Sequence, residues 1–160
     1  MLAIRSRIKN RLGFLLANYL QPYLSRTPVI WGNKERLFLD KNVILTNSVL
    51  NLRSGSIRIG ENSFFGHGVM LLTGKHDMNV FGLDRQNSVP IEGRDIIIGK
   101  GVWVASGSII IGPCVIGDNS VIGAGCVISK DIPKNSYCVM GTQDQLVTKK
   151  LRVTEPKRSC

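Results

Sequence analysis

At 160 residues and 17.6 kDa the chain has the length of one domain with room for a real core. Its net charge of +10 is uneven: residues 1–36 carry seven Lys or Arg against Glu35, residues 145–160 carry five against Glu155, and residues 37–144 hold nine of each sign. A nucleic-acid-binding domain would show a basic stripe with interleaved aromatics on that central body, so the neutral body speaks against nucleic acid as a partner.

The chain opens with residues 2–20, where Ile4, Ile8, Leu12, Leu15, Leu16 and Tyr19 fall at helical spacing while Arg5, Arg7, Lys9 and Arg11 lie mostly off that line. This spacing predicts a basic amphipathic helix that stops before Pro22. Asn18 breaks the apolar run and no small-residue cleavage site follows, which separates the segment from a secretory leader. It is expected to cap the exposed end of a stacked core; contact with an anionic membrane surface is the alternative. Residues 21–40, punctuated by Pro22, Pro28 and Gly32, read as irregular, so residues 1–40 form a capping unit. No run reaches the eighteen or so apolar residues of a membrane span.

From Val43 a six-residue rhythm begins loosely, as VILTNS and VLNLRS, and firms at Ile59, Phe65 and Leu71. It resumes at Ile98 as IGKGVW, VASGSI, IIGPCV, IGDNSV, IGAGCV and ISKDIP, with an aliphatic residue at 98, 104, 110, 116, 122 and 128. A period of six fits neither a helix at 3.6 nor a half-buried strand at 2. It is the repeat of a parallel β-helix, whose short strands climb a solenoid and bury one side of each rung against the next.

Between Leu71 and Ile98 the rhythm fails, because 27 is not a multiple of six. Residues 73–95 are polar and lack hexads, which predicts a protruding loop; a loop this long inside a compact repeat is generally functional. It contains His76, one of only two histidines. The other, His67, sits at a turn-like place in a hexad. Beyond Met140, residues 142–153 (TQDQLVTKKLRV) read as a short basic helix, so residues 141–160 form a C-terminal helix and tail.

The hexads, with IGENSFFGHGVMLLTGKH and VPIEGRDIIIGKGVWVASGSIIIGPCVIGDNSVIGAGCVISKDIPKNS, resemble the hexapeptide-repeat acyltransferases, and among them the maltose, galactoside and polysaccharide O-acetyltransferases. The resemblance covers about Val43 to Met140. It implies an all-β fold, a left-handed parallel β-helix over residues 41–140 with three hexads per coil. It also implies a homotrimer that binds acetyl-CoA in the groove between subunits. The implied reaction is direct acetylation of a sugar hydroxyl, in surface polysaccharide biosynthesis, by a cytoplasmic enzyme that is soluble or peripheral to the inner face of the membrane. N-acetylation of a nucleotide-linked amino sugar is a second reading, and a non-catalytic scaffold a third. A γ-type carbonic anhydrase shares the hexads but needs three histidine ligands, so no metal is expected.

At eighteen residues per coil Ile98 stacks on Ile116, Val104 on Ile122 and Ile110 on Ile128. Cys114, Cys126 and Cys138 are twelve apart and therefore fall on different faces, with Cys114 under Ile132 and Cys126 over Ser108. They read as small core fillers rather than a bridge, a metal set or nucleophiles. Free thiols without a CxxC pair suit a reducing cytosol.

The chemistry asks for little, since a thioester is already activated: the acceptor must be held against it, lose a proton, and have the oxyanion stabilised. His76 matches the family's catalytic histidine, and a neutral imidazole can take that proton and return it to the leaving thiolate. Asp77 and Asp95 are candidates to orient the ring, but neighbours in sequence seldom face each other correctly, and solvated loop carboxylates are the leading reading of both. By resemblance, Trp103 lies beside the pantetheine arm and the acceptor, the backbone at Ala105, Ser106, Gly123 and Ala124 bonds the pantetheine, and Ser129 and Lys130 meet the ribose 3′-phosphate. Asn47 is the nearest match to an upstream asparagine that helps hold the acceptor or oxyanion. Relatives continue with Gly-x-Pro-Ala where this chain has Met140, Gly141, Thr142 and Gln143, a departure at the adenine end of the pocket.

Overall fold

The computed structural model describes residues 26–140 and 146–151, together with Gly13, Leu15, Leu16, Tyr19 and Leu20 of the N-terminal segment. Its strands come round in threes. β1 (Val29–Gly32), β3 (Val49–Leu52), β6 (Met70–Leu72), β9 (Ile109–Ile111) and β12 (Val127–Ile128) stack into a first face. β2 (Leu37–Leu39), β4 (Ile57–Ile59), β7 (Ile96–Ile98) and β10 (Cys114–Ile116) form the second. β5 (Phe64–Phe65), β8 (Trp103–Val104), β11 (Val121–Ile122) and β13 (Ser136–Met140) form the third. Every one of these pairings is parallel, as in a β-helix.

Alternation in and out makes the core. β4 buries Ile57 and Ile59 and turns Arg58 outward, and β7 does the same with Ile96, Ile98 and Ile97. The inward places stack in columns: Leu50, Leu71, Ile110 and Ile128 on the first face, Ile59, Ile98 and Ile116 on the second, Phe65, Val104, Ile122 and Cys138 on the third. All are buried. At about 1.5–3 kcal/mol for each fully buried large aliphatic side chain, these columns offset much of the entropy of ordering short strands. Where the second face turns to the third, Asn42, Asn62, Asn119 and Asn135 each adopt positive φ, a conformation asparagine tolerates better than most residues. Along this corner Asn42 Nδ2 donates to Asn62 Oδ1 at 3.0 Å, and Lys100 Nζ bridges to Glu61 at 3.2 Å.

The eighteen-residue coil holds for Ile98 to Ile116, Val104 to Ile122 and Ile110 to Ile128. It then tightens. Ile116 pairs with Ile132 and Ile122 with Cys138, sixteen residues on in each case. Asp131 explains the shortening, since its Oδ1 accepts from the Val115 N–H at 2.8 Å and lets three residues turn the corner. Cys114 keeps the eighteen-residue interval to Ile96, but Ile132 pairs with Ile116 and not with Cys114, as a constant period would have it.

Two other expectations are corrected. Residues 21–40 are not irregular throughout, because β1 and β2 pair with β3 and β4 and add rungs to the solenoid. Their partners lie twenty residues on, so they escape a search for sixes. The predicted C-terminal helix does not form over β14 (Leu146–Lys150), which pairs antiparallel with β13. β13 ends the third face with an open edge, and Val147 and Thr148 are β-branched residues that suit a strand closing it.

In the N-terminal segment, Gly13, Leu15, Leu16, Tyr19 and Leu20 are helical. Leu15 and Leu16 are 64% and 50% exposed rather than packed on the solenoid. The rest of residues 2–25 lies outside the described residues. Among the described residues no helix is long and apolar enough to cross a membrane.

Candidate active site

The insertion leaves the corner where the first face turns to the second. Ile59 pairs with Ile98, 39 residues on instead of eighteen, so 21 residues stand out from one coil. Its neck is closed by hydrogen bonds. Thr73 Oγ1 donates to the Asn51 carbonyl at 2.7 Å and accepts from Ser54 N–H at 3.1 Å. Arg94 Nε donates to the Thr73 carbonyl at 2.8 Å, and Asp95 Oδ1 accepts from Ser56 N–H at 2.6 Å. Asp95 is thus spent on the neck and does not reach the imidazole as a partner.

Within the loop a short helix, α1 (Gly82–Asn87), folds back over His76. His76 Nδ1 lies 2.9 Å from the Arg85 carbonyl oxygen. A carbonyl can only accept, so Nδ1 carries the proton, and in the neutral ring Nε2 then holds the lone pair. The Arg85 side chain holds this arrangement: Nε donates to Val80 O at 2.7 Å, Nη2 to Met78 O at 3.2 Å, and the guanidinium lies 4.9 Å from the Phe81 ring centroid. Asp77 Oδ1 accepts from Asn79 N–H at 2.8 Å in a local turn. Neither aspartate orients the ring; a backbone carbonyl does. A search of acidic neighbours has no means of finding it.

His76 stands between two cavities. One, of about 470 Å³, is lined by Asp77, Met78, Val89 and Pro90 among others. The other, of about 350 Å³, includes Trp31, Asn51, Arg53, Lys75 and Gln86. Asn51 was missed in the sequence. Its Oδ1 accepts from Arg53 N–H at 2.9 Å, and its Nδ2 lies so near Gly74 that a Cβ there would come within 2.8 Å. A polar residue at an outward place of an aliphatic strand, four residues past Asn47, is the signal that marks it. Asn47 is occupied elsewhere, its Oδ1 accepting from Gly68 N–H at 2.8 Å.

The remaining expected residues divide between two corners. Ser129 and Lys130 follow β12 at the same corner as His76, two rungs along, or about 10 Å at 4.8 Å per rung. Ala105, Ser106, Gly123 and Ala124 lie where the third face turns to the first, a strand's length of about 10 Å away. Trp103 points outward from the third face, 44% exposed and stacked on Phe64 with centroids 5.9 Å apart. Gly123 is small for a reason internal to the fold, since a Cβ there would meet the Cys138 carbonyl oxygen at 2.9 Å. His67 shares that corner, its N–H donating to Ser106 Oγ at 3.1 Å, and lines a separate cavity of about 580 Å³ with Arg26 and Thr46.

Cys114 and Cys126 are buried, and burial pushes both thiols upward, Cys114 to about 11 with help from Asp131. Neither is suited to be a nucleophile.

Residues 95–130 match the bacterial transferase hexapeptide family (six repeats). A maltose O-acetyltransferase from Clostridium difficile 630 superposes with a TM-score of 0.52 at 30% identity, over 79% of this chain and 68% of that one. A galactoside acetyltransferase in complex with coenzyme A superposes with a TM-score of 0.63 at 26% identity, over 79% and 61%. The galactoside O-acetyltransferase of Escherichia coli (strain K12) is 29% identical over 108 residues, covering 68% of this chain and 52% of that protein. The chain spans about half the length of the curated relatives it matches. With stacked hexads, the inserted loop and its histidine all in place, the chain belongs to the hexapeptide-repeat acetyltransferases and shares their left-handed β-helix.

Proposed function

We propose that the protein transfers an acetyl group from acetyl-CoA to a sugar hydroxyl, with His76 as the general base. One observation carries this reading: Nδ1 is held by the Arg85 carbonyl, which leaves Nε2 free to accept a proton between two cavities. Nε2 takes the hydroxyl proton as the acceptor oxygen bonds to the thioester carbon. The tetrahedral intermediate then collapses, the C–S bond breaks, and the imidazolium returns the proton to the coenzyme A thiolate. Asn51 Nδ2 is placed to donate to the acceptor oxygen or to the oxyanion. No acyl-enzyme is required.

The acyl donor is acetyl-CoA and the assembly is a homotrimer whose groove takes His76, Ser129 and Lys130 from one subunit and Trp103, Ala105, Ser106, Gly123 and Ala124 from its neighbour. The support is that one chain spreads these residues over two corners. A sugar acceptor is supported by the names of the maltose and galactoside relatives. Its place in surface polysaccharide synthesis, in the cytoplasm with peripheral contact through the basic N-terminal segment, belongs to the same reading.

The test is thiol release from acetyl-CoA across a panel of sugars and nucleotide sugars, with His76→Ala as control. No release with any acceptor, or equal release by the variant, rejects the proposal. Equilibrium sedimentation of an active sample that finds monomer alone rejects the shared groove.

A further inference from the structure

We propose that the acceptor carries a negative charge, read by Arg53 and Lys75 while a sugar ring lies on Trp31; this rests on the acetyl-transfer reading above. On the first face β1 sets Trp31 beside Asn51, and β3 sets Asn51 beside Leu72 on the rung from which the His76 loop departs. This outward column leads from the indole to the catalytic imidazole along one wall of the 350 Å³ cavity.

Trp31 is 63% exposed, although it belongs to a paired strand of the solenoid. A lone large aromatic among polar side chains, on a cavity wall, is the arrangement that receives the apolar face of a ring while polar groups fix its edge. Those polar groups are Asn51, Arg53, Lys75 and Gln86. Two are cations, and no carboxylate lines the cavity with them. The one salt bridge among the described residues, Lys100 to Glu61, lies at another corner. Its volume equals about a dozen waters at about 30 Å³ each, enough for one sugar ring with a charged substituent. Two uncompensated cations reward an anion there and do nothing for a neutral hydroxyl's neighbours. The anion is a carboxylate or a phosphate, both of which arginine recognises through the same fork of N–H donors.

Saturation-transfer NMR on the full-length protein with glucose, glucuronate and glucose 1-phosphate tests this without relying on catalysis. One of the two anionic sugars is expected to bind roughly tenfold more tightly than glucose, and which one identifies the anion. The preference should weaken as salt rises and collapse in Arg53→Gln and in Lys75→Gln. Trp31→Ala should weaken all three sugars alike, with circular dichroism confirming that it folds. Equal binding of the three sugars, binding of none, or an anion preference that survives both charge substitutions overturns the proposal. An anion preference in a protein that acetylates nothing rejects the acetyl-transfer reading and leaves this one standing.

Discussion

The 2.9 Å contact between His76 Nδ1 and the Arg85 carbonyl fixes one tautomer without a carboxylate, so the proton-accepting nitrogen is chosen by backbone geometry. The first prediction concerns that nitrogen. His76→Ala should fold and bind acetyl-CoA while losing acetyl transfer by roughly 10²–10⁴, the usual worth of general-base catalysis. His67→Ala should keep it, since His67 contributes its backbone N–H to Ser106 at another corner. Loss of transfer in the second variant and retention in the first would sink the assignment.

Arg85 acts on the reaction through His76. Arg85→Ala removes the bonds to Val80 and Met78 that hold α1 over the imidazole. We expect kcat to fall roughly tenfold, as misplacement of a catalytic group does, with KM for acetyl-CoA little changed. The ¹⁵N shifts of His76 should show both tautomers in the variant and Nδ1–H alone in the parent. Asp77→Asn should leave kcat within about twofold, because its side chain only closes a turn. A larger fall for Asp77→Asn would return the orienting role to the carboxylate.

The columns Ile98–Ile116, Val104–Ile122 and Ile110–Ile128 were legible because a stacked core repeats its anchors at a fixed interval. The inserted loop was legible too, because it throws the anchors out of step by a number that six does not divide, whereas two other departures were hidden. Asp131 shortens a corner by side-chain hydrogen bonding, and β1 and β2 sit twenty residues from their partners, so neither shows as a period. β14 is decided by the open edge of β13, a property of the folded stack rather than of residues 146–150. In the site, His76 stood out by its place in the loop, whereas its partner is a main-chain carbonyl that every residue carries. Asn51 shows in the sequence as a polar residue on an aliphatic strand, but its nearness to Gly74 and the cavity it shares with His76 come from the fold and not from spacing.

Cys114 gives a pH dependence of known sign. Burial first, and Asp131 second, raise its thiol from 9.0 to about 11. Below pH 9.0 the folded and unfolded chains both keep the proton and the contribution is constant. Between 9.0 and about 11 the unfolded chain loses it first, so stability falls, and above about 11 the loss is complete. Urea unfolding of the parent against Cys114→Ala should show a difference shrinking by about 2 kcal/mol across that window. A difference independent of pH would mean that the thiol is not held neutral by the core.

Truncation before Leu146 should open the outer edge of β13. Cys138, buried and 3.5 Å from Thr148 Oγ1 through its Sγ, then loses the strand beside it. Thiol reagents should label Cys138 within minutes in the truncated protein and only on unfolding in the parent. Self-association should also rise with concentration, as it does for uncovered strand edges. Unchanged labelling would show that the last coil protects its own edge.

The last prediction separates the two uses of the N-terminal segment. A helix capping the solenoid would bury its apolar face, yet Leu15, Leu16 and Leu20 are exposed. Arg5, Arg7, Lys9 and Arg11 precede them in the chain. Four cations at an anionic surface add on the order of 1 kcal/mol each, screened by salt, while leucines enter the headgroup boundary. Deleting residues 1–20 should therefore abolish salt-sensitive cosedimentation with vesicles containing phosphatidylserine and leave the Tm within about 2 °C of the parent's. Acetylation of a soluble acceptor should persist. A deletion that lowers the Tm substantially while vesicle binding is unchanged would show that the segment caps the solenoid instead, because only packing on the rungs couples its removal to their unfolding.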